Sequence, residues 1–125
     1  MLVDSDVLIW YLRGNTNAVQ FLNGLAELEL SAVSYMELVQ GCRNKQELER
    51  LKKDLATRQT KILPVTVPIC ARAVVLVEAH FLGDNLQMAD ALIAPAALEH
   101  QLTLATGNAK HFQAIEGVQL HAFAP

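Results

Sequence analysis

The chain has 125 residues, enough for one domain with a single core and too few for two. Hydrophobic residues make up 52% and charged residues 18%, the balance of a globular protein with some apolar surplus left to cover a partner, and the formal net charge of -3 argues against coating nucleic acid by bulk electrostatics. No apolar stretch reaches the roughly 20 residues that span a bilayer, and Met1-Leu2-Val3-Asp4 lacks the basic start of a signal peptide, so a cytoplasmic protein is the expectation.

Taken in chain order, residues 1 to 4 read as a short buried strand. Residues 6 to 13 read as a helix ended by Gly14, and 16 to 23 as another begun by Thr16 and closed by Gly24. A second strand is expected over 28 to 33 and a helix from Ser34 to about Cys42, where Ser34 and Glu37 have the spacing of a capping box. Leu48, Leu51 and Leu55 make 45 to 58 an amphipathic helix. Ile62-Leu63-Pro64-Val65 reads as a third strand, with Pro64 favouring an edge.

Val67 to Leu82 is apolar enough to suggest a helix packed in the core, stopped by Gly83-Asp84-Asn85. A further helix is expected from about Gln87 to Glu99, with Pro95 predicting a kink or a late start. Residues 102 to 105 read as a strand, 109 to 115 as a helix and 119 to 123 as a last strand. This alternation predicts an α/β fold: a three-layer sandwich with a central, mainly parallel sheet of four to five strands between helices. No repeat or linker divides it, so residues 1–125 are expected to form one domain.

Three acids, Asp4, Glu37 and Asp90, each stand where a buried strand gives way to a helix. In an open parallel sheet the carboxyl ends of the strands line one crevice, where side chains distant in sequence converge. Carboxylates gathered there repel one another unless a hard cation such as Mg²⁺ or Mn²⁺ sits between them. Helix capping alone also accounts for acids at such positions, and Asp6, Asp90 and Asn108 all suit that role.

Seven of the ten basic residues fall between Arg43 and Lys61, either a phosphate-facing edge or a solvated helix face on which Glu47, Glu49 and Asp54 pair locally. Arg13 and Arg43 are the candidates for phosphate contact. Trp10, Tyr11 and Tyr35, beside the acids, are placed either to stack on an unpaired base or to fill core. Cys42 and Cys70 show neither zinc spacing nor a disulfide framework and read as buried free thiols. The four histidines form no triad or metal spacing, and none is assigned to catalysis.

Four blocks in order carry a family resemblance: Val3-Asp4-Ser5-Asp6-Val7-Leu8-Ile9, Ser34-Tyr35-Met36-Glu37-Leu38-Val39-Gln40-Gly41, Ala89-Asp90-Ala91-Leu92-Ile93-Ala94, and Leu102 to Phe112 with Thr106-Gly107-Asn108 at its centre. Together they resemble the PIN-domain nucleases, most closely the VapC-type toxins of toxin-antitoxin pairs. The resemblance implies a PIN-like fold and an endoribonuclease dependent on one or two Mg²⁺ or Mn²⁺ ions. Asp4, Glu37 and Asp90 would be catalytic metal ligands, with Asn108 joining through its carbonyl or a water, and Ser5, Asp6 and Thr106 supporting them.

The same resemblance implies an RNA substrate, an antitoxin partner and a homodimer, with no membrane. Two departures stand out: many family members have Asn in place of Asp6 and a fourth acid in place of Asn108. Two other readings start from the same residues. Asp4-Ser5-Asp6 resembles the opening of haloacid-dehalogenase-like phosphatases, where Asp4 would be the nucleophile, and a catalytically inactive interaction module would keep the fold without cleavage.

Overall fold

The computed structural model describes residues 1–83 and 85–125. A short strand β1 (Leu2–Val3) leads into helices α1 (Ser5–Leu12) and α2 (Thr16–Asn23). Strand β2 (Glu29–Ser31) follows, then α3 (Ala32–Gln40), α4 (Lys45–Thr57), β3 (Lys61–Leu63), α5 (Val67–His80) and α6 (Met88–Glu99). Strand β4 (Leu104–Thr106), a single 3₁₀ turn (Ala109–His111) and β5 (Leu120–Ala122) complete the order.

All pairings are parallel, in the order β3-β2-β1-β4-β5. The chain winds outward from β1 through β2 to β3, then returns to the other side of β1 for β4 and β5. The junction of β1 and β4 is therefore the point where the winding reverses, and the crevice beyond the carboxyl ends of these strands is the standard binding position in such sheets. In register, Leu2 faces Leu104 and Val3 faces Ala105.

Alternation along β1 divides the core between the two faces of the sheet. Val3, Leu30 and Ala105 join Val7, Leu8, Leu22, Leu51 and Leu55 from α1, α2 and α4 on one face. Leu2 and Leu104 join Ile69, Ile93, Ala97 and Phe112 on the other. The three-layer sandwich with a parallel sheet expected from the alternation is present, with five strands.

Several local expectations differ from the structure. The third helix starts earlier than expected because Ser31, the last residue of β2, caps it by accepting from the Val33 amide at 3.1 Å. Ser34 consequently lies inside α3, fully buried with its hydroxyl unpartnered, and there is no Ser34–Glu37 capping box. Helix α2 does run from Thr16 to Asn23 as expected, capped by Asn15 and closed by Gly24. The expected helix over 109 to 115 is only the 3₁₀ turn.

Helix α5 is mostly apolar but covered on one side only: Ile69 and Ala73 are buried, while Val67, Val74 and Val75, and Phe81 just after the helix, are exposed. It ends at His80, before its expected stop; of that stop, Gly83 has a positive φ and Asp84 lies outside the described residues. The next helix begins at Met88 and runs through Pro95 instead of starting late. Pro95 is buried, as are Ala94, Ala96 and Ala97 beside it in the chain. Both cysteines are free, but Cys70 is exposed and Cys42 only half-buried, which corrects the expectation of two buried thiols.

Candidate active site

The site grows from the reversal point between β1 and β4. Asp4 directly follows β1 and caps α1: one carboxylate oxygen accepts from the Ser5 amide at 2.8 Å, and the other accepts from the Thr106 hydroxyl at 2.9 Å. Thr106 ends β4, is fully buried, and accepts in turn from the Asn108 amide at 3.0 Å. A single hydroxyl thus ties the ends of the two central strands together.

Burial, then the charge of Asp6, pushes the Asp4 carboxyl up to about 7 against the pull of its hydrogen bonds to Thr106 and Ser5, and Asp90 adds to the rise. A carboxyl so placed ionises readily only when positive charge is brought to it.

Asp6, in the first turn of α1, accepts from the Gly107 amide at 2.8 Å and from the Asn108 side-chain amide at 3.2 Å, both on Oδ2. Gly107 is needed for this close approach, since a Cβ there would stand 2.5 Å from that oxygen. The other oxygen, Oδ1, is buried without a partner. Burial, with a contribution from Asp90, raises the Asp6 carboxyl above its ordinary value.

Glu37 reaches the same neighbourhood from α3, where its Oε1 accepts from the Ser5 hydroxyl at 3.2 Å. Ser5 therefore bonds Asp4 through its amide and Glu37 through its side chain. Asp90, third residue of α6, accepts from the Gln87 amide at 3.0 Å in a capping box, and the same Oδ2 stands 3.1 Å from His111 Nδ1. Asp90 is thus a cap as well as a site candidate, and its charge is felt at both Asp4 and Asp6.

Beside Glu37 runs a groove of ≈ 570 Å³ lined by Ile9, Leu12, Arg13, Leu38, Arg43 and Arg50 among others. Arg43 is engaged by Glu47 at 3.2 Å, so its charge is locally paired, and the Arg13 guanidinium lies 5.7 Å from the Trp10 ring centroid. Tyr11 is a packing residue: its hydroxyl donates to Asp54 at 3.0 Å and accepts from Arg58, whose guanidinium covers the ring at 4.7 Å. Tyr35 packs half-buried against the core, and Trp10 is 37% exposed.

The donors are all oxygens, and the orphaned Asp6 Oδ1 and the raised Asp4 carboxyl both suit a hard divalent cation. Among the described residues, no group of three or more His, Cys, Asp and Glu side chains is arranged to hold a metal ion as it stands. Asp4, Glu37 and Asp90 each accept hydrogen bonds from neighbouring groups, and those bonds set how each carboxylate is turned.

The family model for the PIN domain matches residues 1–118. The chain belongs to the PIN-domain family. Ribonuclease VapC10 of Mycobacterium tuberculosis is 35% identical over 122 residues, covering 93% of this chain and 88% of that protein. A toxin-antitoxin complex from Klebsiella pneumoniae contains a chain 30% identical with a TM-score of 0.78, covering 94% of this chain and 93% of that one. VapBC2 from Rickettsia felis, solved with a DNA fragment from its promoter, has a chain that superposes with a TM-score of 0.82 at 20% identity over 98% of both chains, a likeness of fold. PIN-domain ribonucleases are in general dependent on divalent metal.

Two members of this PIN site escaped the reading of the sequence. His111 stands 21 positions from Asp90, with no motif spacing to announce it. Gly107 contributes a backbone amide, which side-chain patterns do not reveal.

Proposed function

We propose that residues 1–125 form a single PIN-like nuclease domain that hydrolyses RNA phosphodiesters internally, as the toxin of a toxin-antitoxin pair acting in the cytoplasm. The observation that carries this reading is the 35% identity to a ribonuclease across 93% of the chain, alongside the PIN-domain match over residues 1–118. No helix among the described residues is long and apolar enough to cross a membrane.

In this reading Asp4, Glu37 and Asp90 hold Mg²⁺ or Mn²⁺, with Asn108 reaching a second ion through its carbonyl or a water. The bound cation supplies Lewis-acid polarisation of the phosphate and a lowered pKa for the attacking water. Thr106 fixes the Asp4 carboxylate in rotation, and Ser5 keeps Asp4 and Glu37 in one orientation relative to each other. Asp6 anchors the loop after β4, holding Gly107 and Asn108 beside the acids. Arg13 and Arg43, lining the groove that begins at Glu37, contact phosphates, Arg43 after exchanging Glu47 for substrate.

Water attack in line leaves a 5′-phosphate and a 3′-hydroxyl without using the 2′-hydroxyl, so preference for RNA rests on shape or groove contacts. The solved relative in a toxin-antitoxin complex supports an antitoxin partner, and the uncovered apolar side of α5 supports a homodimer. Co-expression with the neighbouring antitoxin gene tests the pairing: growth arrest by the chain alone, relieved by the second gene, is expected. Normal growth with the chain expressed and folded would count against the toxin reading.

A further inference from the structure

We infer that His111 is a positioning residue for Asp90, holding its carboxylate in the orientation in which it serves the divalent cation. The inference rests on the ribonuclease reading above and adds to it a residue outside the acidic set. Asp90 sits where α6 begins, and a carboxylate on the first turn of a helix turns readily into the ring of backbone amides that the turn leaves unpaired. Here the Gln87 amide takes Oδ2 at 3.0 Å, which alone would leave the plane of the carboxylate free to rotate about that contact. His111 Nδ1 meets the same oxygen at 3.1 Å from a different element, the 3₁₀ turn after β4. Two donors converging on one oxygen fix the plane of the group and leave Oδ1 as its free end.

A carboxylate oxygen that accepts from the Gln87 amide accepts from His111 as well when Nδ1 carries a hydrogen, as it does in the Nδ1–H tautomer and in the imidazolium alike. Nε2 is on the far side of the ring from the carboxylate. The position of the ring is itself determined: the next residue, Phe112, is fully buried between β4 and α6 and anchors the turn. A hydrogen bond from a neighbouring group that orients a metal ligand typically governs affinity about 10- to 100-fold.

The experiment measures Mn²⁺ binding by calorimetry to the full chain, for the wild type and for His111→Ala, His111→Asn and Asp90→Asn, with circular dichroism confirming each fold. Asparagine places its side-chain amide nitrogen where Nδ1 of histidine lies and is expected to restore most of what alanine loses. The expected result is that His111→Ala raises the Kd for Mn²⁺ roughly 10-fold or more while His111→Asn stays near the wild type. Mn²⁺ binding by His111→Ala equal to or tighter than that of the wild type would overturn the inference, as would equal losses in the alanine and asparagine variants. A wild type that binds no Mn²⁺ would overturn the ribonuclease reading itself, and with it this role for His111.

Discussion

Thr106 shows how much a single buried hydroxyl can hold. It donates to Asp4 and accepts from the Asn108 amide, so its loss strands an acceptor and a donor together. Thr106→Val keeps the shape and is expected to cost about 1–3 kcal/mol in urea unfolding. An unchanged midpoint would show that water replaces the hydroxyl.

Asp4 carries a pH signature of its own. Its folded-state carboxyl, pushed from 3.8 to about 7, binds a proton more tightly than it does in the unfolded chain. That contribution to stability is present in full below 3.8 and is lost as pH rises through about 7. In metal-free protein, thermal scans should show stability falling across this window, Asp4→Asn should flatten the fall, and Mn²⁺ should restore stability at the alkaline end. A wild-type profile identical to that of Asp4→Asn would place the Asp4 carboxyl outside the account.

Asp4 stands where the sequence put it, between a strand and a helix, whereas Glu37 lies inside α3 and Asp90 in the first turn of α6, which follows α5 and not a strand. The connections of the three acids were not legible in the sequence. Ser5 to Glu37, Thr106 to Asp4 and His111 to Asp90 cross 32, 102 and 21 positions, and only the winding of the sheet brings them together.

Among the elements, α4 shows one structural use of the basic segment between 43 and 61. Leu51 and Leu55 bury one stripe, and Arg58 ties the end of the helix to Tyr11 and to Asn23 of α2. Leu51→Ala should destabilise by about 2–5 kcal/mol, read by chemical unfolding, through the cavity it leaves. Helical periodicity made this stripe readable in advance.

Periodicity failed for α5, where most residues are apolar and composition cannot tell a covered side from an open one. It failed also at α3, where Ser31 took the cap and drew Ala32 and Val33 from the expected strand into the helix. Short strands are the general result: the residue after β1, Asp4, and the last residue of β2, Ser31, are claimed as helix caps.

For the molecule as a whole, the parallel order with its reversal between β1 and β4 dictates where chemistry can gather, and the acids gather there. On the flank, Val67 and Val74 of α5 and Phe81 just after it recur at seven-residue steps and are exposed, away from the buried Ile69 and Ala73. If two copies pair through this face, Val74→Asp should convert a dimer to a monomer in sedimentation while leaving circular dichroism unchanged. A dimer that persists would move the interface elsewhere.

The central claim is that Asp4, Glu37 and Asp90 serve one divalent cation in RNA cleavage. It is tested most directly by incubating a defined RNA with the purified chain in Mn²⁺ or in chelator, beside Asp4→Asn, Glu37→Gln and Asp90→Asn, and identifying the ends formed. The account predicts Mn²⁺-dependent 5′-phosphate and 3′-hydroxyl ends from the wild type and background cleavage from all three variants. Cleavage that survives the chelator, cyclic phosphate ends, or full activity in any one of the variants would contradict it.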